Sequence, residues 1–504
     1  MKNTLTLTLL SALAAAAPST LLLAADGGTC ETLTKPGIFT HTLISSAKAV
    51  PADTQQKLPA YCEIVGTVTP VANSRIGVVY RLPENWNGKL LGLGGGGWAG
   101  NLRLDAAAPG LIAGYATAQT DGGHASTELW NTSWSANPEA IEDFSHRAIH
   151  VMTTTGKSVV SQFYGRQQTR SYYQGCSTGG RQGLMEVQRY PDDYDGVIAG
   201  APVYTLATQT TALIRSNAFA RPGASVTANQ LSRLNDAALA ACDASDGTKD
   251  GVLNDPRACR FNPSTLQCKT GETGECLTAA QVTAIQTMYA GVKTQRGEFA
   301  AYPLTRGSER GWERFIPTTT PATSATLATT SAGAGLGGLR ATIFGDANFD
   351  LAKFDPDQHY RIVRDSRFAN IYEAGNPDIS AFIAKGGKLL LWHGFDDPGP
   401  SPFATVDYFT AMQRVTGEKI RSLDNSARLF LAPGVYHCRG GPGPDEIDML
   451  SAIDAWVESG QAPNTLLATK AEGGVSRPLC PYPALARYKG SGNTNDVANF
   501  NCRI

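Results

Sequence analysis

No block of basic residues, no internal repeat and no Cys-x-x-Cys occurs anywhere in these 504 residues. The first absence, with a net charge of −1 at pH 7, argues against nucleic acid or any other polyanion as a partner. The second excludes a solenoid or propeller of stacked units. The third, with no Cys/His cluster at zinc-finger spacing, leaves a structural zinc without a ligand set. After the N-terminal stretch, no segment has 18 consecutive apolar residues, so no membrane partner is expected there.

What is present is globular in character. Hydrophobic residues make up 42% and charged residues 17%, enough chain for one large domain with an insertion or for two or three ordinary ones. The 53 glycines and 28 prolines imply many turns and long loops. Residues 1–25, MKNTLTLTLLSALAAAAPSTLLLAA, carry a weakly positive start, an apolar stretch and small residues before the polar DGGTC. That pattern predicts a secretory signal peptide cleaved near Ala25, although Leu23 suits the −3 position poorly. An uncleaved anchor is disfavoured because Pro18 and scattered Ser and Thr interrupt the apolar run. Ten cysteines, an even count, agree with export and suggest disulfides. A secreted or periplasmic chain is expected.

Short β-rich runs, YCEIVGTVTP and RIGVVYRLP, read as a hairpin, and KLLGLGGGGWAG as a strand running into a glycine loop. EDFSHRAIHVMTTTGKSVVSQFYG has helical periodicity. SYYQG is then a strand, GGRQGLMEVQRYP a helix and YDGVIAGAP a buried strand. The alternation stops near Val203. Helices (TANQLSRLNDAALAA, TAAQVTAIQTMYAGV) and a Thr/Ala/Gly-rich stretch follow. KLLLWHG, FATVDYFTAMQRVTG, ARLFLAPG and DEIDMLSAIDAWVESG then resume strand, helix, strand, helix. The reading is an α/β fold, with a catalytic domain over 26–203 and 371–504 interrupted by an insertion over 204–370.

Gly175-Cys176-Ser177-Thr178-Gly179 fits G-x-S-x-G between a predicted strand and a predicted helix. In that context small neighbours permit a sharp turn that exposes the serine hydroxyl at the helix N-terminus. The bland alternative is a glycine-rich helix start with a capping serine. A nucleophilic serine needs a base, and the base an orienting acid. In α/β hydrolases the chain order is serine, acid, histidine. His437, in the loop after ARLFLAPG, takes the base position, while His393 at the end of KLLLWHG reads as a structural anchor. Asp396 and Asp397 are both candidate acids. Oxyanion donors are expected from Thr178 and from the run Gly94–Trp98, with Gly97 as the candidate donor. No G-K-[ST] follows that run, so it is not a phosphate loop.

Cys176 precedes the candidate nucleophile and Cys438 follows the candidate base. A disulfide between them would tie the two loops together and remove a competing thiol. With this Cys-Ser and His-Cys pairing, the chain resembles the tannase and feruloyl esterase family of exported serine esterases over essentially its whole mature length. The resemblance implies an α/β-hydrolase domain with a large inserted lid, and a small aromatic ester as substrate. It carries the acid of H-G-x-x-D onto Asp397, with Asp396 as runner-up. The chain departs from the family pattern in DDPGPSP, where an apolar residue is usual at the position of Gly399 or Pro400. Inside the lid, Asp243, Asp246 and Asp250, with the carbonyls of Thr248 and Val252, offer hard oxygen ligands that suit Ca²⁺. They resemble the family's structural calcium loop, with Cys242 and Cys259 closing it as a ring. The remaining pairs that the resemblance implies are Cys30–Cys62, Cys268–Cys276 and Cys480–Cys502. The expected activity is hydrolysis of feruloyl, hydroxycinnamoyl or galloyl esters. Terephthalate monoesters are an alternative, because Arg340 and Phe344 in GLRATIFGD match the spacing of a carboxylate-holding Arg and a ring-holding Phe in that branch. An inactive, calcium-stabilised binding protein on the same scaffold is the reading from another class.

Overall fold

The computed structural model describes residues 29–504 apart from 127, 207–216, 317–318, 321–322, 325–339, 347, 351–352 and 421–422. The expected signal peptide and most of the Thr/Ala/Gly-rich stretch lie outside the described residues.

Nine strands form one sheet: β1 (Thr42–Val50), β2 (Tyr61–Val68), β3 (Ile76–Pro83), β4 (Lys89–Leu93), β5 (Ala116–Thr120), β6 (Arg170–Cys176), β7 (Gly196–Gly200), β8 (Lys388–Gly394) and β9 (Ala427–Ala432). Their spatial order is β1-β2-β3-β5-β4-β6-β7-β8-β9. Pairing is antiparallel from β1 through β3 to β5, and parallel from β5 onward. The parallel strands are covered on both faces, which is why VIAG and LLLW show no polar alternation. Side chains still alternate in direction. Leu389 and Leu391 join Val197 and Ala199 in one core, while Leu390 and Trp392 join Ile198 and Phe430 in the other.

Helices α1 (Leu104–Ile112), α2 (Ala148–Tyr164) and α3 (Thr178–Arg189) connect the first strands. The helical run predicted from residue 142 begins instead with a π turn over Asp143–Arg147. That turn buries four consecutive residues, Asp143 to His146, which a regular helix face would not do. Between β7 and β8, residues 201–387 add no strand to the sheet among the described residues. The predicted insertion, 204–370, lies inside this span. Its helices α4 (Ala228–Cys242) and α5 (Ala279–Ala290) each start with a capping box, Thr227 with Gln230 and Thr278 with Gln281. They pack a core of their own around Phe219, Leu231, Leu234, Ile285 and Trp312. Helix α6 (Arg367–Tyr372) packs with Trp98 and Phe144. After β8, α7 (Pro402–Lys419) and α8 (Met449–Ser459) complete the layers. All ten cysteines are paired: Cys30–Cys62, Cys176–Cys438, Cys242–Cys259, Cys268–Cys276 and Cys480–Cys502. Five disulfides fit an oxidising compartment. No helix among the described residues is long and apolar enough to cross a membrane.

Candidate active site

The turn from β6 into α3 is built by close backbone approach. Ser177 adopts φ 63° and ψ −120°, a left-handed conformation that a serine holds only under constraint. A Cβ at Gly175 would lie 2.5 Å from the Gly179 backbone, and one at Gly180 would lie 2.1 Å from the Gly200 carbonyl oxygen. Only glycine fits either position. The Ser177 N–H donates to the Gly200 carbonyl at 2.9 Å, which fixes the turn against β7. Its hydroxyl is thereby presented at the N-terminus of α3.

Ser177 Oγ lies 3.0 Å from Nε2 of His437, and His437 Nδ1 lies 2.6 Å from Oδ2 of Asp397. The structure brings Asp397, rather than Asp396, to the histidine. Asp397 also takes His393 Nε2 at 3.1 Å on Oδ2 and the Gly399 N–H at 2.7 Å on Oδ1. Both contacts of His393 Nε2, Asp397 and the Pro400 carbonyl, are acceptors, so that nitrogen carries a proton. Its Nδ1 faces the Thr405 hydroxyl at 2.8 Å.

Burial alone would push the Asp397 carboxyl up. The His437 charge and the hydrogen bonds from both histidines outweigh it and hold the group at about 2. For His437, burial disfavours protonation, but the Asp397 charge and hydrogen bond prevail and raise it above the ordinary imidazole value. An ionised Asp397 beside Nδ1 fixes the proton there and leaves Nε2 as the acceptor for the Ser177 hydroxyl. Asp396 has the opposite surroundings. It is fully buried, its Oδ1 has no partner among the described residues, and burial followed by the nearby Glu309 charge pushes it well above the carboxylate range.

The glycine run after β4 lies against the elbow. The N–H groups of Gly94, Gly95, Gly96 and Trp98 are taken by Gln174 O, Gln182 Oε1, Ala99 O and Leu129 O respectively. Gly97 is the member whose N–H has no partner among the described residues. It has φ 57°, and a Cβ there would meet the Leu129 carbonyl at 2.5 Å. The Thr178 hydroxyl donates to the Gly97 carbonyl at 2.6 Å. The Thr178 N–H is in the first turn of α3, where the helix offers it no acceptor. Gly97 and Thr178 therefore keep the two candidate backbone donors, linked to each other by that hydroxyl bond. Gln182 reads in the sequence as an ordinary helix position, and Thr178 is expected there only as a backbone donor, with no role for its hydroxyl.

Cys176 and Cys438 join at a Cα–Cα distance of 6.0 Å, directly beside the serine and the histidine. In the inserted segment, Arg340 opens a short helix, Arg340–Phe344. Phe344 stacks on Phe349 at 4.0 Å and meets Phe354 and His359 edge-on. Arg340 Nε is buried without a partner, and no hydrogen bond or ion pair among the described residues ties it to Ser177, His437 or Asp397. In the acidic loop, Asp243 Oδ2 accepts the Gly251 N–H, and Asp246 Oδ1 accepts the Thr248 N–H and hydroxyl. Asp250 pairs with Arg477 at 2.6 Å and with the Val252 N–H. Asp243 Oδ1 is buried with no hydrogen-bond partner among the described residues. Among the described residues no three acidic, histidine or cysteine side chains converge as a ready metal cluster.

A profile of the family described as tannase and feruloyl esterase matches residues 62–503. A mono(2-hydroxyethyl) terephthalate hydrolase of Piscinibacter sakaiensis is 33% identical, over 88% of this chain and 85% of that protein. A probable feruloyl esterase of Arthroderma benhamiae is 34% identical, over 84% and 81%. The crystal structure of feruloyl esterase B from Aspergillus oryzae superposes with a TM-score of 0.84 at 30% identity, covering 94% of this chain and 99% of that one. With the profile spanning nearly the whole chain, and relatives this similar over most of their length, the chain belongs to the tannase and feruloyl esterase family and is a carboxylic ester hydrolase of the α/β-hydrolase fold.

Proposed function

We propose that this chain hydrolyses small esters of aromatic acids through an acyl-enzyme on Ser177. The observation that carries the reading is the continuous hydrogen-bonded line from Ser177 through His437 to an ionised Asp397. Feruloyl esterase relatives support the aromatic acyl group. Ser177 Oγ attacks the ester carbonyl carbon as its proton passes to His437 Nε2. The carbonyl oxygen becomes an oxyanion facing the N–H groups of Gly97 and Thr178, an arrangement in which one donor is typically worth about 10²–10³-fold in turnover. Collapse breaks the C–O bond, and His437 returns the proton to the leaving alcohol. Water, activated by the same imidazole, then releases the acid and regenerates the serine. The inserted segment would act as the lid that supplies the acyl pocket.

Ca²⁺ belongs in the same proposal as a structural ion. The orphaned, buried Oδ1 of Asp243 and the hard oxygens around it suit such a cation. Carboxylates of Asp243, Asp246 and Asp250 would hold it together with the Thr248 and Val252 carbonyls, inside the ring closed by Cys242–Cys259. When bound it supplies charge balance to the loop and takes no part in ester chemistry.

A terephthalate monoester is the second reading. It is favoured by the unpartnered Arg340 Nε four residues before Phe344 and by the Piscinibacter relative. Initial rates on methyl ferulate, methyl gallate and mono(2-hydroxyethyl) terephthalate, with Ser177→Ala as the blank, test the acyl preference. Rates highest on ferulate or gallate support the first reading, and rates highest on the monoester support the second. Failure to cleave any of the three would refute both.

A further inference from the structure

Nothing in ester chemistry requires a glutamine inside the nucleophile helix. Gln182 nevertheless sits five residues after Ser177 on α3, 2% exposed, and reaches across to the glycine run. Its Oε1 accepts the Gly95 N–H at 3.0 Å. It is the one side-chain acceptor among the four bonded N–H groups of Gly94 to Trp98, the others being backbone carbonyls. The Tyr173 hydroxyl, on the strand that leads to the serine, donates to the Gly179 carbonyl at 2.9 Å and lies 3.3 Å from the same Oε1. Packing here is too close for the loop to shift independently of the helix. A Cβ on Gly94 would fall 2.3 Å from the Tyr173 hydroxyl and 2.6 Å from Gly179 Cα, and one on Gly179 3.0 Å from the Gly95 carbonyl.

The consequence concerns Gly97. A run of four glycines has more backbone freedom than any other sequence of that length, yet one of its N–H groups must aim at a single point beside Ser177. The Gly94, Gly96 and Trp98 bonds tie the run to β6, to itself and to the 129 loop. Two bonds tie it to the helix that carries the nucleophile: Gln182 at Gly95 and the Thr178 hydroxyl at Gly97.

We infer that Gln182 is a positioning residue that holds the Gly97 N–H in register with Ser177 through its hydrogen bond to Gly95. The inference rests on the triad reading above. It assigns Gln182 no contact with substrate and no proton to transfer.

Replacing Gln182 with Met keeps length and burial but removes the acceptor, while Gln182→Glu retains an oxygen for the Gly95 N–H. Steady-state kinetics on methyl ferulate and the affinity for phenylboronic acid, a tetrahedral adduct former, are read in parallel with melting temperature. The expected result for Gln182→Met is kcat lower by about 10²-fold, in the range for losing one oxyanion donor. KM should stay within about threefold and boronate affinity should fall by a comparable factor. The acid limb of the pH profile should be unmoved, because the histidine and its acid are untouched. Gln182→Glu should remain within about tenfold of wild type. Should Gln182→Met fail to accumulate folded, Gln182→Asn serves instead, since its shorter amide falls short of Gly95.

A folded Gln182→Met with kcat within threefold of wild type would overturn the inference. So would a rise in KM at constant kcat, or equal losses in the Met and Glu variants. Fluorophosphonate labelling of the wild type separates this from the reading beneath it. If Ser177 is not labelled there, the triad assignment fails; if it is labelled and Gln182→Met is unaffected, only the positioning role fails.

Discussion

Two short loops in this molecule crowd aspartates together, and they treat the charge in opposite ways. In the acid loop after β8, Asp397 is fully buried yet ionised, because His393, His437 and the Gly399 N–H satisfy it. In the acidic loop of the inserted segment, Asp243 keeps a buried oxygen that has no hydrogen-bond partner among the described residues. A buried carboxylate with an unmet oxygen is costly, on the order of several kcal/mol if it stays charged, so it is either neutralised or compensated from outside. The protein supplies its own compensation where a fixed negative charge must orient a histidine. In the inserted loop the Asp243 carboxyl is instead raised by burial, and under the calcium proposal a cation would supply the missing compensation. Asp396 marks the third outcome: beside Asp397 in the chain but without donors, it is pushed towards the neutral form.

The largest effect expected is at the nucleophile. Ser177→Ala should lower kcat by about 10⁶-fold, as for serine hydrolases that lose the nucleophile, with an unchanged melting temperature because glycines set the turn. Activity within tenfold of wild type would break the comparison at its catalytic end. Asp397→Asn should cost about 10⁴-fold by destroying the histidine tautomer, whereas Asp396→Asn should cost less than tenfold. The reverse ranking, read from kcat on methyl ferulate, would exchange the roles of the two neighbours.

Removing the bridge between the loops comes next. Cys176→Ala with Cys438→Ala should lower turnover by about 10²-fold in protein still folded at low temperature, since a misplacement of about 1 Å can cost that much. Chain entropy for the 262-residue separation is on the order of 5 kcal/mol, usually reduced by strain, so stability should fall as well. A double variant with full turnover would show that the bridge does not set the distance.

Smaller again is the pH dependence. The base must be neutral at Nε2, and His437 is raised above the ordinary imidazole value of about 6.5. Activity should therefore fall as pH drops through a midpoint above that value. An acid limb centred below it would contradict the Asp397–His437 coupling. Smallest in rate is the effect of chelation. It should lower the melting temperature by several degrees while leaving the initial rate at low temperature unchanged, because ions that bind only the folded state stabilise by linkage. Immediate, reversible loss of turnover without loss of stability would instead place the cation in the chemistry.

Sequence made parts of this legible and hid others, for physical reasons. G-x-S-x-G could be read because steric crowding at Gly175 admits nothing else and leaves little room at Gly179, and the chain order of the resumed strands led to His437. The choice between Asp396 and Asp397 could not be read from residue type, because it depends on which carboxylate the backbone aims at the imidazole. β5, with the sequence ATAQT, lies in the middle of the sheet and is buried along its length. Its small and polar residues give no apolar run, so it left no strand signal. β1 is an edge strand with scattered burial and was equally silent. Gln182 looked like any polar helical residue, since its partner lies 87 positions away in sequence.

The most direct test of the central claim is to label the intact, unreduced protein with a fluorophosphonate and map the modified peptide by mass spectrometry. The account predicts a single adduct on Ser177, formed at a rate that falls as His437 protonates and that collapses in Asp397→Asn. An adduct on any other residue, or none in protein that hydrolyses methyl ferulate, would contradict it.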